Sequence, residues 1–184
     1  MQKFYKKTGL PKEYQHWQDA VDQMLDKVNT DNPIFLMVDS SIVKANTSHR
    51  REGRHIDGYW IECDSNGRWD SKSKKLGFHG GRGGHRAYLN SDNPDWSNTT
   101  LKEPESIILA SSYTSSRGYI GEWDGVIGDG GSCVDIDVSH MDEITLEKNN
   151  VYIGNVGFIH ESLPVHQDVE RTLIRLNVKD WEMC

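Results

Sequence analysis

Two histidines and an aspartate are the side chains of this sequence best suited to hold a metal. His55 and Asp57 are two positions apart, and residues with that spacing on a strand project from the same face. His160 ends an apolar run far downstream and can supply a third ligand from another strand. Two histidines and one carboxylate suit non-haem Fe(II), because they leave coordination positions open. The pattern predicts a metal centre at His55, Asp57 and His160.

Two arginines lie inside an apolar run shortly after His160. Arg171 and Arg175 are four positions apart, so on a strand they share one face, and Leu173 lies between them on that face. A buried guanidinium requires an anionic partner, and its planar fork fits a carboxylate through two hydrogen bonds. That carboxylate can belong either to the protein or to a bound cosubstrate.

Other histidines and acids offer competing ligand sets. His166 is an alternative to His160, but it follows in a polar turn rather than ending a strand. A second set of oxygen and nitrogen ligands occupies residues 135–142, with Asp135, Asp137, His140 and Asp142. We expect this segment to be a strand with a solvated face that leads into a turn. His79 and His85 flank glycines, which do not hold ligands rigidly.

Charge is unevenly distributed along the sequence. The chain has a net charge of −7, yet residues 44–86 contain ten Lys or Arg against five Asp or Glu. Arg50, Arg51 and Arg54 come directly before His55. A basic segment on an acidic body can attract an anionic ligand, such as a nucleotide, a nucleic acid or an acidic metabolite. Tyr59, Trp60, Trp69 and Trp123 can offer stacking faces to a base.

Hydrophobic periodicity predicts the elements that position these residues. Apolar side chains recur at helical spacing through residues 11–28, which predicts one amphipathic helix. Short runs rich in β-branched and aromatic residues follow, and they predict eight strands. One helix followed by strands alone indicates a mainly β fold, an antiparallel sandwich or barrel such as a jelly roll. The predicted strands are 34–38, 56–62, 86–89, 106–112, 118–127, 133–138, 151–160 and 170–178.

Length and composition indicate a single domain over residues 1–184. The glycine-rich, polar segment 64–86 predicts a mobile basic loop. No apolar run is long enough to span a membrane. Three widely spaced cysteines without a CxxC pair favour a reducing compartment, so we expect a cytoplasmic protein with no membrane partner.

Three motifs taken together resemble the Fe(II)/2-oxoglutarate-dependent dioxygenase superfamily. They are HID at 55–57, HESLPV at 160–165 and RTLIR at 171–175. In that superfamily an HxD motif and a distal histidine bind iron, and a basic residue about ten to fifteen positions later binds the far carboxylate of 2-oxoglutarate. Arg171 and Arg175 are 11 and 15 positions after His160. The Arg-x-Ser/Thr pairing of several branches is absent, so the choice between the two arginines stays open.

The resemblance covers roughly residues 34–178 and implies a double-stranded β-helix core (jelly-roll or cupin-like) behind the N-terminal helix. It implies Fe(II) held by His55, Asp57 and His160, with 2-oxoglutarate and O2 as cosubstrates. Arg171 and Arg175 would bind 2-oxoglutarate. The implied reaction is oxidation, in the simplest case hydroxylation, of a C–H bond in a substrate that the basic segment suggests is anionic.

Two other functions fit parts of the same pattern. A non-catalytic jelly-roll or cupin-like binding or structural module would pair the arginines with internal acids. A redox-inert hydrolase would use the metal ligands of residues 135–142.

Overall fold

The computed structural model describes residues 2–50, 52–57, 105–123, 132–154, 158–179 and 182–183. The predicted basic loop at 64–86, the predicted strand at 86–89 and most of the predicted strand at 56–62 lie outside these ranges. So do Tyr59, Trp60, Trp69, His79 and His85. The strands of the described part are antiparallel and are listed here in chain order: β1 (Gln2–Phe4), β2 (Val28–Asn29), β3 (Ile34–Val43), β4 (Glu105–Ser111), β5 (Ser116–Ile120), β6 (Asp142–Thr145), β7 (Val151–Gly154), β8 (Ile159–Ser162), β9 (Val169–Lys179) and β10 (Glu182–Met183).

The predicted amphipathic helix is present over a shorter span than 11–28. A 3₁₀ helix, Lys12–Trp17, leads into the α-helix α1, Gln18–Met24. The apolar spacing continues beyond α1, but Lys6 Nζ donates hydrogen bonds to the carbonyls of Leu25 and Val28, at 2.9 and 2.7 Å. The Leu25 carbonyl also accepts a 3.0 Å hydrogen bond from the Val28 N–H, so one further turn follows α1 and Lys6 caps it before β2 begins.

The larger sheet has five strands in the order β1, β3, β9, β4, β7. Strand β9 lies at its centre and pairs with β3 over Ile34–Val43 and with β4 over Glu105–Ser111. No helix in the described part of the chain has the length and apolar character to cross a bilayer.

The side chains of β9 alternate between two environments, as a strand buried on both faces requires. Ile174, Leu176 and Val178 pack with the apolar face of α1 on the outside of the sheet. Arg171, Leu173 and Arg175 face the opposite side and line a cavity. The apolar residues that pack on α1 and the two arginines of this strand therefore lie on different faces of the sheet.

The smaller sheet has three strands in the order β6, β5, β8. His55 extends it through isolated bridges to His160 on β8 and to Ser132. Ile159 of β8 packs outward in a second apolar cluster with Tyr119 and Ile56, whereas His160 and Ser162 face the cavity. The two sheets therefore contribute opposite walls of one site.

Three predicted strands differ from the structure. The predicted strand 118–127 corresponds to β5, which ends at Ile120, and residues 121–123 are not part of a strand. Residues 133–138 form turns instead of a strand, because Asp137 Oδ1 accepts a 2.9 Å hydrogen bond from the Ser139 N–H and so closes a local turn. The predicted strand 151–160 is divided into β7 and β8, which belong to different sheets. Strand β6, in the charged segment 142–145, was not predicted, because half-exposed edge strands lack a strong apolar alternation.

Candidate metal centre

His55 and His160 are directly opposite each other on neighbouring strands. The His55 N–H donates to the His160 carbonyl at 2.9 Å, and the His160 N–H donates to the His55 carbonyl at 3.0 Å. Residues of such a pair project from the same face of a sheet. Their imidazole rings accordingly lie 4.6 Å apart between centroids.

Each imidazole is oriented by a backbone carbonyl two residues before it. His55 Nδ1 lies 2.9 Å from the Gly53 carbonyl, and His160 Nδ1 lies 3.0 Å from the Phe158 carbonyl. A carbonyl only accepts hydrogen bonds, so Nδ1 carries the proton in both rings. In the neutral form of each ring, Nε2 then keeps its lone pair, which is the state that binds a metal.

The ring of Phe158 supports His160 from the side. The two rings stack at 5.6 Å with an interplanar angle of 17°. Gly118 and Gly154 provide the space for the phenyl ring, since a Cβ on either glycine would lie 2.3 or 2.7 Å from Phe158 atoms. The absence of side chains at both glycines therefore leaves room for the Phe158 ring, and this ring packs against the candidate ligand His160.

Asp57 lies on the same face as His55, two residues further along the chain. Its Oδ2 is 3.4 Å from His160 Nε2 and 2.6 Å from Arg175 Nη1. Burial raises the pKa of Asp57, but Arg175, His160 and His55 together outweigh burial and hold this pKa well below its usual range. Asp57 is therefore a carboxylate at neutral pH.

A cation between His160 and Asp57 would stabilise their contact. With Nδ1 protonated, His160 Nε2 presents a lone pair to a carboxylate oxygen, and two acceptors at this distance repel each other. Either a second proton on His160 or a metal ion between the ligands removes the repulsion. Ligand atoms of His55, Asp57 and His160 all lie within 4.8 Å of one another, so this buried group can hold a metal ion.

The competing ligand sets do not converge. His166 is exposed in the turn before β9. Asp137 is occupied by the Ser139 N–H, and His140 Nε2 lies 2.8 Å from the Glu122 carbonyl. Within the described ranges, His55, Asp57 and His160 form the one group of three or more metal-binding side chains.

The two arginines of β9 have different surroundings. Arg175 contacts Asp57, as described above. Arg171 is 0% exposed, and its Nε and Nη2 donate to Ser111 Oγ at 3.0 Å and Ser116 Oγ at 2.9 Å. Its Nη1 is buried with no hydrogen-bond partner among the residues that the structure describes. Burial is the main reason that the pKa of Arg171 is lowered to about 10, so it remains a cation at neutral pH.

All of these groups line one cavity between the sheets. Its empty volume is about 510 Å³, which includes space open to solvent. His55, Asp57 and His160 line it together with Arg171 and Arg175. Apolar side chains complete its described walls: Met37, Leu109, Ala110, Leu146 and Leu173.

Comparison with known proteins identifies no relative. No family model, curated protein or solved structure matches this chain. The function must therefore be inferred from the geometry of the site.

Sequence reasoning missed some residues of this site. Ser111 and Ser116, the hydroxyls that accept from Arg171, belong to the serine-rich segment SSYTSS at 111–116, for which the sequence pattern predicts no role in binding. Arg50 lines the cavity, whereas Arg54 donates to the Val134 carbonyl at 2.7 Å. Arg51 lies outside the described residues.

Proposed function

We propose that this protein is an Fe(II)- and 2-oxoglutarate-dependent dioxygenase that hydroxylates a C–H bond of its substrate. The observation that carries the proposal is the presence, in one cavity, of a 2-His-1-carboxylate group and a fully buried arginine with an N–H available. The first suits a metal with open coordination positions, and the second suits the carboxylate of a cosubstrate. Neither feature alone distinguishes this reaction from simple ligand binding.

The ligand set fits Fe(II). Two neutral imidazoles with Nε2 available and one ionised carboxylate are the ligands of the facial arrangement that leaves three positions open. The backbone carbonyls of Gly53 and Phe158 act as outer partners that keep each ring in the metal-binding tautomer. Arg175 restrains Asp57 by occupying Oδ2, which favours binding of the metal through one oxygen only.

The surroundings of the two arginines favour Arg171 as the residue that binds the distal carboxylate of 2-oxoglutarate. Arg175 already has a carboxylate, Asp57, at 2.6 Å. Arg171 is bound by two neutral hydroxyls, so its buried charge has no directly bonded anion in the described part of the site. A cosubstrate carboxylate would supply that anion and would use the serine hydroxyls as additional donors.

The path of the chain supports a double-stranded β-helix. Strand β3 belongs to the larger sheet, His55 to the smaller, β4 to the larger, and β5 and β6 to the smaller. The chain then returns to the larger sheet at β7, the smaller at β8 and the larger at β9. This winding brings candidate ligands from both ends of the chain to one cavity, as the jelly-roll or cupin-like architecture requires.

When bound, Fe(II) and 2-oxoglutarate would supply the oxidising chemistry, in which O2 is consumed, 2-oxoglutarate is decarboxylated to succinate and a substrate C–H bond is hydroxylated. The side chains of the protein bind and orient the metal and the cosubstrate. His55, Asp57 and His160 set the metal on one wall, and Arg171 fixes the far end of the cosubstrate. Leu109, Leu173 and their apolar neighbours exclude water from the space between them.

Anaerobic binding tests the proposal directly. Addition of Fe(II) and 2-oxoglutarate to the protein should produce a weak visible charge-transfer band, and His160→Ala should abolish it. His166→Ala is the matched control, because it removes an exposed histidine from the same region and should keep the band. Succinate formed in air against a panel of substrates would then identify the reaction. Absence of the band, with no thermal shift by 2-oxoglutarate in the presence of metal, would favour a non-catalytic jelly-roll or cupin-like module.

A further inference from the structure

Arg50 is a third arginine of the cavity, and its position differs from those of the other two. Its side chain is 34% exposed, whereas that of Arg175 is 11% exposed and Arg171 is fully buried. Arg50 therefore lies where the cavity meets solvent. A group that enters after the metal and cosubstrate sites are filled would encounter this guanidinium.

One edge of the Arg50 guanidinium is held in place. Nη1 donates to Asp39 Oδ2 at 3.0 Å and to Met37 Sδ at 3.6 Å. Asp39 also lies 3.3 Å from His49 Nε2 through its other oxygen. A guanidinium restrained at one nitrogen keeps its orientation, and its remaining N–H groups form a fork suited to a carboxylate or phosphate.

Among the residues that the structure describes, the buried and half-buried charges of the site leave one positive charge without a counter-ion. With a divalent metal bound, the three guanidiniums and the metal carry five positive charges. Asp39, Asp57 and the two carboxylates of 2-oxoglutarate carry four negative ones. Glu147 also borders the cavity, but it is exposed and accepts a hydrogen bond from Thr114 at 3.0 Å, so solvent screens its charge. A substrate with an anionic group would balance the remaining positive charge.

We propose that Arg50 binds an anionic group, a carboxylate or a phosphate, on the substrate that is oxidised at the His55, Asp57 and His160 site. This proposal rests on the proposed function, and it assigns the substrate to the class of small anionic molecules. The simpler alternative is that Arg50 forms only a partly exposed ion pair with Asp39, and such pairs contribute little. Arg54, by contrast, is directed away from the cavity by the Val134 carbonyl.

Ligand binding near the metal can be measured without turnover. The protein is loaded with Mn(II) and saturating 2-oxoglutarate, so that Arg171 is already occupied. Phenyl phosphate, benzoate and the neutral analogue benzamide are then titrated, and the paramagnetic relaxation of their ring protons is recorded. Wild type, Arg50→Gln and Arg50→Lys are compared, and Arg54→Gln serves as a control for loss of positive charge nearby.

The expected result is saturable relaxation by at least one anion, with benzamide binding more weakly. Loss of charge-assisted hydrogen bonds should weaken binding of that anion to Arg50→Gln by about tenfold or more, whereas Arg54→Gln should bind like wild type. Comparison of phenyl phosphate with benzoate shows which anion is preferred. If Arg50→Gln does not fold, binding of the anion to Arg50→Lys is compared with wild type instead. Lysine keeps the positive charge but lacks the planar fork, so binding should again be weaker.

The proposal is overturned if neither anion is relaxed by the wild-type protein, or if benzamide binds equally well. It is also overturned if the anion binds the folded Arg50 variant as tightly as wild type, or if Arg54→Gln weakens binding to the same extent. A failure of the proposed dioxygenase function is seen separately. In that case Mn(II) or 2-oxoglutarate does not bind before any probe is added.

Discussion

Replacing Arg171 by methionine should remove the binding of 2-oxoglutarate while changing the stability of the protein only slightly. Methionine is long and unbranched, so it can occupy the space of the arginine stem without a buried charge. Replacing a residue that serves mainly to stabilise the fold would instead lower stability and leave the binding of 2-oxoglutarate unchanged. The paired measurement therefore separates a binding residue from a structural one.

The size of the stability change follows from the surroundings of Arg171. Its pKa is lowered from 12.5 to about 10, mainly by burial, which corresponds to about 3 kcal/mol against the charged form in the folded state. Loss of the two charge-assisted hydrogen bonds to Ser111 and Ser116 opposes this gain by roughly 1.5 kcal/mol or more each. The two contributions roughly cancel, so the free energy of unfolding should change by no more than about 2 kcal/mol.

The change in binding should be much larger. Two charge-assisted hydrogen bonds to one carboxylate are worth roughly 1.5–3 kcal/mol each, so Kd for 2-oxoglutarate should rise by about 10²- to 10⁴-fold. Calorimetric titration with metal present measures Kd, and thermal unfolding without metal or cosubstrate measures stability. If Arg171→Met is less stable but binds 2-oxoglutarate with wild-type affinity, the reasoning is refuted. The binding of the cosubstrate carboxylate would then be assigned to Arg175. Arg175→Met is the matched variant, and it should weaken metal binding, because Asp57 loses its partner.

Three further predictions concern other parts of the fold. Burial lowers the pKa of His49, so the unfolded chain takes up a proton at a higher pH than the folded protein does. The free energy of unfolding should therefore fall as pH drops below about 6.5, by at most about 1.4 kcal/mol per pH unit. In urea unfolding without metal, His49→Asn should reduce this pH dependence, and an unchanged dependence would exclude His49 as its source. Gly118→Ala should lower the free energy of unfolding by about 1–3 kcal/mol and weaken metal binding, because the new Cβ would lie 2.3 Å from the Phe158 ring. If the variant binds metal with wild-type affinity, the Phe158 ring does not position His160. Lys6→Met should lower the free energy of unfolding by about 1–3 kcal/mol through loss of its two carbonyl hydrogen bonds, whereas Lys7→Met, with a side chain 70% exposed, should change it by less than about 0.5 kcal/mol.

The parts of the fold predicted from sequence are those with a strong local pattern. Helical spacing of Val21 and its neighbours identified the face that packs on the larger sheet. Alternation through residues 170–178 identified β9 and the common face of its two arginines. The spacing of His55 and Asp57 was sufficient to place both on one face. Each of these predictions needs only the period of a helix or a strand.

The remaining parts depend on contacts between distant residues. Periodicity does not reveal which strand will lie opposite His55, and the pairing with His160 is a property of the whole sheet order. Arg171 and Arg175 have the same local sequence character, and only the positions of Ser111, Ser116 and Asp57 distinguish them. The turn around Asp137 was predicted as a strand, because a side chain that bonds to the nearby backbone can override an alternating pattern.

Because His55 and His160 are joined by reciprocal backbone hydrogen bonds, the candidate metal site forms only when the segment that carries His55 pairs with β8. These residues are 105 positions apart, and the entropy of closing such a loop grows only slowly with its length. Segments between them can therefore lengthen or shorten during evolution at little cost, while the two imidazoles stay in register. During refolding, metal should be captured only after the two ends of the loop have met. The time at which metal binds would then mark the formation of the pairing between His55 and β8.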